Sequence, residues 1–165
     1  MLRVVSIIRK SDIKSAGVTD RVILDSDDRR RRRMVLTSEK GMEMLLDLEA
    51  PAVLRDGDGL LLDNGSVMHV SGQSERLFEV ESSSPRESAR LAWHLGNRHT
   101  EVQFIGDRIR IRHDHVLEEM LRGLGAKVTP IVAAFDPEAG ALHHGHGHVD
   151  QHDHKHGHSH HHNGS

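Results

Sequence analysis

The sequence predicts an α+β protein with three parts: a small β-rich N-terminal domain, a ferredoxin-like βαββαβ domain and a disordered histidine-rich tail. Three observations carry that expectation. Short runs of Val, Ile and Leu alternate with polar or glycine-containing turns through the first half. The next stretch switches between strand and helix periodicity in the order of a split βαβ unit, and apolar periodicity stops after Phe135. The resulting boundaries are 1–75, 76–142 and 143–165.

In the first part, residues 2–8, 21–24, 32–36 and 42–48 read as strands. Residues 59–62 and 66–70 flank Asp63-Asn64-Gly65, a hairpin signal because Asn and Gly both tolerate positive φ. In the second part, residues 78–80 fit a strand. Ser84-Pro85-Arg86-Glu87 then joins a capping box to proline at the first helical position, where its missing N–H costs nothing. Ala89, Ala92, Trp93 and Leu95 supply the apolar stripe of that helix, and Gly96 suits the position just beyond its end. Residues 102–105 and 108–112 form a hairpin through Gly106-Asp107, with Ile109 and Ile111 alternating against Arg108, Arg110 and Arg112. Asp114 caps a second helix carrying Leu117, Met120, Leu121 and Leu124, which Gly125 stops. A last strand, 128–135, contains Pro130, which directs it to a sheet edge or an irregular end. Two helices then cover one face of an antiparallel sheet, and the three arginines point to the open face. Gly, His and Asp in 143–165 bury too little apolar area to offset ordering entropy, so disorder is expected there.

Composition narrows the chemistry. Of 165 residues 36% are apolar, with three Phe, one Trp and no Tyr, so the core is aliphatic. Lys and Arg total 22 against 25 Asp and Glu, a net charge of -3 that gives no general reason to bind nucleic acid or acidic membranes. No apolar run approaches the roughly 18–20 residues of a membrane span, and the N-terminus lacks a signal pattern, so a soluble cytoplasmic protein is expected. Cysteine is absent, which excludes disulfides, thiolate metal sites and a thiol nucleophile. HExxH, GxSxG, P-loop and dinucleotide motifs are also absent, so no enzyme is expected. Asp56-Gly57-Asp58-Gly59 lacks the later carboxylates of a calcium loop and reads as a turn. Residues 29–33 are five arginines preceded by Asp25, Asp27 and Asp28 with no interleaved aromatics. That pattern favours a solvated partner-binding surface over a nucleic-acid site.

Histidine is the anomaly: 16 in all, eleven of them within residues 143–162. Imidazole ligates borderline metals, and glycine spacers let several rings converge on one ion. The tract therefore reads as a metal collector, beginning with His143, His144, His146 and His148. Of the other five, His69 lies in a predicted strand and reads as structural. His94 and His99 straddle the end of the first helix, too far apart around its axis for an i, i+4 chelate. His113 and His115 form an HxH pair at a strand-to-helix junction. Four histidines within 22 positions, without cysteine, point to a more selective site.

These residues together resemble the UreE family, nickel metallochaperones that serve urease maturation. Leu95-Gly96-Asn97-Arg98-His99 is similar to the family's central signature, and Arg112-His113-Asp114-His115-Val116-Leu117-Glu118-Glu119-Met120-Leu121 to its second. Phe135-Asp136-Pro137-Glu138-Ala139-Gly140-Ala141 before a histidine-rich tail is similar to a third. Asp28 through Arg33, and Leu54-Arg55-Asp56-Gly57-Asp58, are similar to the family's β-rich first domain, called peptide-binding. The resemblance implies a homodimer built through the ferredoxin-like domain, with His99 of both subunits on one Ni(II). His94, His113 and His115 then occupy peripheral metal positions, and tail histidines complete or feed the central site. It further implies the urease GTPase chaperone and urease apoprotein complex as partners, while all-imidazole coordination admits Zn(II) and Cu(II) as competitors in vitro, and charge and composition lead us to expect no nucleic acid and no membrane. The alternatives are a nickel, copper or zinc store that delivers nothing, and a ferredoxin-like nucleic-acid module using 29–33 with Arg108, Arg110 and Arg112.

Overall fold

The computed structural model describes residues 1–14 and 17–139. The tail histidines, and the disorder expected of the tail, lie outside the described residues. The described chain is α+β, with two sheets and two helices. Strands β1 (Leu2–Ile8), β2 (Val18–Leu24), β3 (Arg33–Thr37), β4 (Glu43–Asp47), β5 (Gly59–Leu62) and β6 (Val67–Gly72) form one sheet in the order β2-β6-β5-β1-β4-β3. Strand β1 forks it. Leu2 and Arg3 run parallel to β4, and from Val4 the strand runs antiparallel to β5, with a register shift between Val4 and Ser6. Alternation selects the core: in β4, Met44 and Leu46 are buried between exposed Glu43 and Asp47. They join Val22, Leu36, Leu60 and Met68 in one aliphatic cluster. Asp56-Gly57-Asp58 is a structural turn. The buried Asp58 carboxylate accepts from Arg9 Nη1 at 2.7 Å, Arg55 N at 2.9 Å and Lys10 N at 3.1 Å.

The second sheet is built from β7 (Ser74–Glu81), β8 (Gln103–Ile105), β9 (Arg108–Arg112) and β10 (Lys127–Ala134), in the order β10-β7-β9-β8 with every pair antiparallel. Helix α1 (Pro85–Asn97) lies between β7 and β8, and α2 (His115–Gly123) between β9 and β10. Both start as their caps require. Ser84 Oγ accepts from Glu87 N at 3.2 Å and Asp114 Oδ1 from Leu117 N at 3.0 Å, each worth about 1 kcal/mol. Leu91 and Leu95 of α1 and Leu117 and Leu121 of α2 share one core with Phe78 and Ile111. Trp93 departs from the expected stripe: two residues from both leucines, it turns away from the core and is 63% exposed. On the other face, Arg108 Nη1 and Arg110 Nε bind Glu79 at 2.6 and 3.0 Å, and Arg108 Nη2 binds Glu81 at 2.9 Å. Pro130 stands within β10, an edge strand, opposite Phe78.

The arginine run corrects the sequence reading. Asp28–Arg30 is a 3-10 turn, and only Arg33 enters β3. Arg29 is not solvated: it is 1% exposed. A buried guanidinium must find acceptors for its N–H groups, and Arg29 has them in Leu24 O at 3.3 Å, Phe135 O at 2.6 Å and the Asp136 carboxylate. A turn of the first sheet thus holds the chain where it leaves the second. Alongside, Glu101 accepts from Arg30 at 2.6 Å and from Arg112 at 3.0 Å, while Arg112 also reaches Asp27 at 3.0 Å. The Arg112 guanidinium lies 5.2 Å from the Phe135 ring centroid. Burial works against its charge, but Glu101, Asp27 and Glu75 outweigh that and hold its pKa above the ordinary arginine value.

Candidate metal centre

Helix α1 does not stop at its glycine. It runs through Gly96 to Asn97, with Arg98 as C-cap. Thr100 N donates to Leu95 O at 3.1 Å and His99 N to Gly96 O at 3.0 Å. These are the two bonds of a Schellman motif, whose first residue past the cap is left-handed. That residue is His99, with φ of 55°, the one non-glycine residue of positive φ among the described residues. Left-handed backbone costs a side-chain-bearing residue about 1 kcal/mol or more, and glycine would occupy it freely. Here an exposed imidazole occupies it instead, at the tip of a turn closed by hydrogen bonds.

The other candidate histidines are placed separately. His94 is half-buried on α1, its ring edge-on to Trp93 at 5.0 Å. Strand β9 ends at Arg112, so no strand carries the HxH pair. The His113 N–H instead donates to Arg76 O at 3.1 Å, and its ring stacks on Phe78 at 4.2 Å. His115 opens α2 with its ring 5.1 Å from that of His113 and its Nδ1 3.7 Å from Glu118 Oε1. His113 and His115 are therefore together, and His113 also has a packing contact. Among the described residues no three His, Asp or Glu side chains converge as a metal-holding group. His143, His144, His146 and His148 lie outside the described residues. His69 is half-buried in β6, opposite Arg21 and Gly59.

Sequence reasoning missed what surrounds the His99 turn. After β10 the chain runs back along the residues that follow that turn: Asp136 N donates to Gln103 Oε1 at 3.0 Å and Glu138 N to Val102 O at 2.7 Å. Glu101, two residues beyond His99, is the carboxylate shared by Arg30 and Arg112. The only hint in the sequence was Phe135-Asp136-Pro137-Glu138 itself, a polar and proline-containing stretch too particular for a plain linker.

The family model described as UreE urease accessory protein, N-terminal domain, matches residues 3–71, and its C-terminal counterpart matches 75–162. The chain belongs to the UreE family. Relatives named urease accessory protein UreE include one from Rhodopseudomonas palustris (strain BisB18), 48% identical over 139 residues, which are 81% of this chain and 66% of the relative. One from Rhodopseudomonas palustris (strain HaA2) is 51% identical over 122 residues, 74% of this chain and 57% of the relative. Urease accessory protein UreE 1 of Brucella suis biovar 1 is 44% identical over 145 residues, 88% of this chain and 90% of that one. The chain spans less than two thirds of the two Rhodopseudomonas relatives. Within the UreE match, His99 falls on the C-terminal family model, whereas Arg29 and Arg30 fall on the N-terminal one.

Proposed function

We propose that this chain is a nickel metallochaperone for urease maturation. It binds Ni(II) at a homodimer interface through His99 of each subunit, gathers further ions on its tail and hands nickel to the urease GTPase chaperone and apoprotein complex. The observation that carries this is the His99 turn: an exposed imidazole standing in a backbone position that glycine would fill at lower cost. Family membership and eleven tail histidines support it. Residues 76–142 are taken as the ferredoxin-like, metal-binding domain on the strength of the β10-β7-β9-β8 order and the two helices sharing one core. Residues 1–75 are taken as the β-rich domain on the strength of the first sheet and its own cluster.

All-imidazole coordination suits Ni(II), Cu(II) and Zn(II), with copper the tightest, so nickel is favoured by supply and geometry. Two imidazoles across a two-fold axis leave coordination positions free for tail ligands or a recipient, and such a site releases its ion. No reaction on a substrate is involved. No helix among the described residues is long and apolar enough to cross a membrane. The nucleic-acid alternative loses its support, because Arg108, Arg110 and Arg112 are ion-paired to Glu79, Glu81 and Glu101.

Calorimetric titration of Ni(II) into wild type, His99→Ala and a chain truncated after Ala141 tests the proposal. The tight site, with half an ion per chain as shared binding requires, vanishes in His99→Ala. Most of the weaker capacity vanishes in the truncation. Tight binding unchanged in His99→Ala overturns the assignment. The tail's capacity also suits a store, and Ni(II)-dependent association with the urease GTPase chaperone separates the two readings. Imidazole binds metal only when neutral, so affinity falls steeply from about pH 7 to about pH 5.

A further inference from the structure

Left-handed backbone on a residue with a side chain persists only where its surroundings over-determine it. Upstream of His99 that is the work of α1 and the two turn bonds, Thr100 N to Leu95 O at 3.1 Å and His99 N to Gly96 O at 3.0 Å. Downstream, the first side chain bonded to the rest of the fold is Glu101, and both of its carboxylate oxygens are taken. Oε1 accepts from Arg30 Nη1 at 2.6 Å and Oε2 from Arg112 Nη1 at 3.0 Å. The two guanidinium groups come from different parts of the molecule, Arg30 from the turn before β3 and Arg112 from the end of β9. Arg112 is itself fixed, with Nη2 donating to Ser26 Oγ at 2.5 Å and to Asp27 Oδ1 at 3.0 Å. Arg30 has Glu101 as its one side-chain acceptor among the described residues, and its Nη2 is buried there without a partner. What the Arg30 guanidinium contributes is therefore made at Glu101, two residues from His99.

We propose that Glu101 is a positioning residue for the metal centre and that Arg30 acts through it, so that the N-terminal half of the chain helps to hold the His99 imidazole in place. The inference rests on the nickel reading above and adds to it the residue that keeps the turn in its strained form. Two guanidinium groups that grip one carboxylate from separate elements fix where the chain leaves the turn, which a single exposed pair would not. With both pairs gone, only the two turn bonds oppose relaxation of His99 to right-handed backbone, and for a free L-residue the left-handed state is disfavoured about five- to thirtyfold. Apparent affinity falls with the fraction of turns in the competent form, and an ion shared by two turns meets that fraction twice. Turn bonds that alone keep the form about half of the time would leave the site about fourfold weaker.

Glu101→Ala, Arg30→Met and the double variant test this in full-length protein. The Arg30 and Glu101 side chains are 27% and 37% exposed, so neither change opens a core. Two readouts are used: affinity of the tight Ni(II) site, by competition with a chelator strong enough to keep weaker sites empty, and metal-free exchange of the Thr100 amide. Glu101→Ala weakens the tight site about fourfold or more and speeds Thr100 exchange about fivefold or more, while amides inside α1 keep their protection. Arg30→Met weakens the site less, because Arg112 still holds Glu101, and adds nothing in the Glu101→Ala background. A merely structural Arg30 would lower affinity equally in both backgrounds, and a merely structural Glu101 would lower the denaturant midpoint with affinity unchanged. A loss below about twofold in Glu101→Ala, an unchanged Thr100 amide, or an Arg30→Met loss that persists without Glu101 overturns the proposal. If His99→Ala retains the tight site, the nickel reading fails by itself and Glu101 loses its metal role with it, while Thr100 exchange still reports separately whether Glu101 holds the turn.

Discussion

On the nickel reading proposed above, a histidine with φ of 55° at the end of α1 sets binding against stability within one residue. His99→Gly relieves the left-handed strain and raises unfolding free energy by up to about 1 kcal/mol, read as a higher denaturant midpoint, while the tight Ni(II) site is lost. Stabilisation with loss of binding would mark the ring as retained for its ligand chemistry; destabilisation would mean that it packs. The position was not legible in local preference. Gly96 is the residue that helix-termination rules select, yet the helix continues through it and the histidine takes the strained place. His99 was singled out through the Gly-Asn-Arg-His signature, whereas the strain that distinguishes it is a property of the folded backbone. His113 shows the converse, since its stack on Phe78 gives it a contact that its HxH spacing never announced.

Helices and strands were the most legible level, because their determinants are local. Ser84 and Asp114 cap the helices they were expected to cap, and hydrophobic alternation marked the strands to within a few residues. Partner choice was not legible: the parallel pairing of β2 with β6 and the fork of β1 leave no trace in a two-residue period. Glu79 offers a test between strands. It stands opposite Arg110, and hydrogen bonding from Arg108 and then Arg110, set against partial burial, keeps its carboxyl below the usual carboxylate range. A depressed folded pKa contributes stability that is present at neutral pH and is lost as pH falls through the folded value. Glu79→Gln therefore lowers stability by about 0.5–1 kcal/mol at pH 7. The gap from wild type narrows below about pH 4 and closes in stronger acid, as paired thermal melts across pH 2–7 would show. A gap that persists unchanged at low pH would mean that shape rather than charge is responsible.

For the whole molecule, five consecutive arginines look like one feature and serve as several. Arg29 is buried against Asp136, Arg30 binds Glu101, Arg31 pairs with Asp28 at 3.0 Å, and Arg32 donates to Leu48 O at 2.6 Å. Their acceptors are backbone carbonyls and carboxylates up to 107 positions away, which no window of sequence contains. Arg112→Ala tests how far this lattice joins the two sheets. It takes the guanidinium donor from Glu101, Asp27 and Ser26 together, at an expected cost of about 1–3 kcal/mol in global unfolding. Loss of less than about 0.5 kcal/mol would mean that the sheets are held together by other contacts. The remaining feature with a molecular consequence is Pro130. Among the described residues strand β10 is the long rim of the second sheet, eight residues with Val132 71% exposed, the kind of margin along which copies of a chain stack into fibrils. Proline within it leaves a gap in the row of donors such stacking needs. Proline there thereby closes one route to runaway polymerisation along that rim.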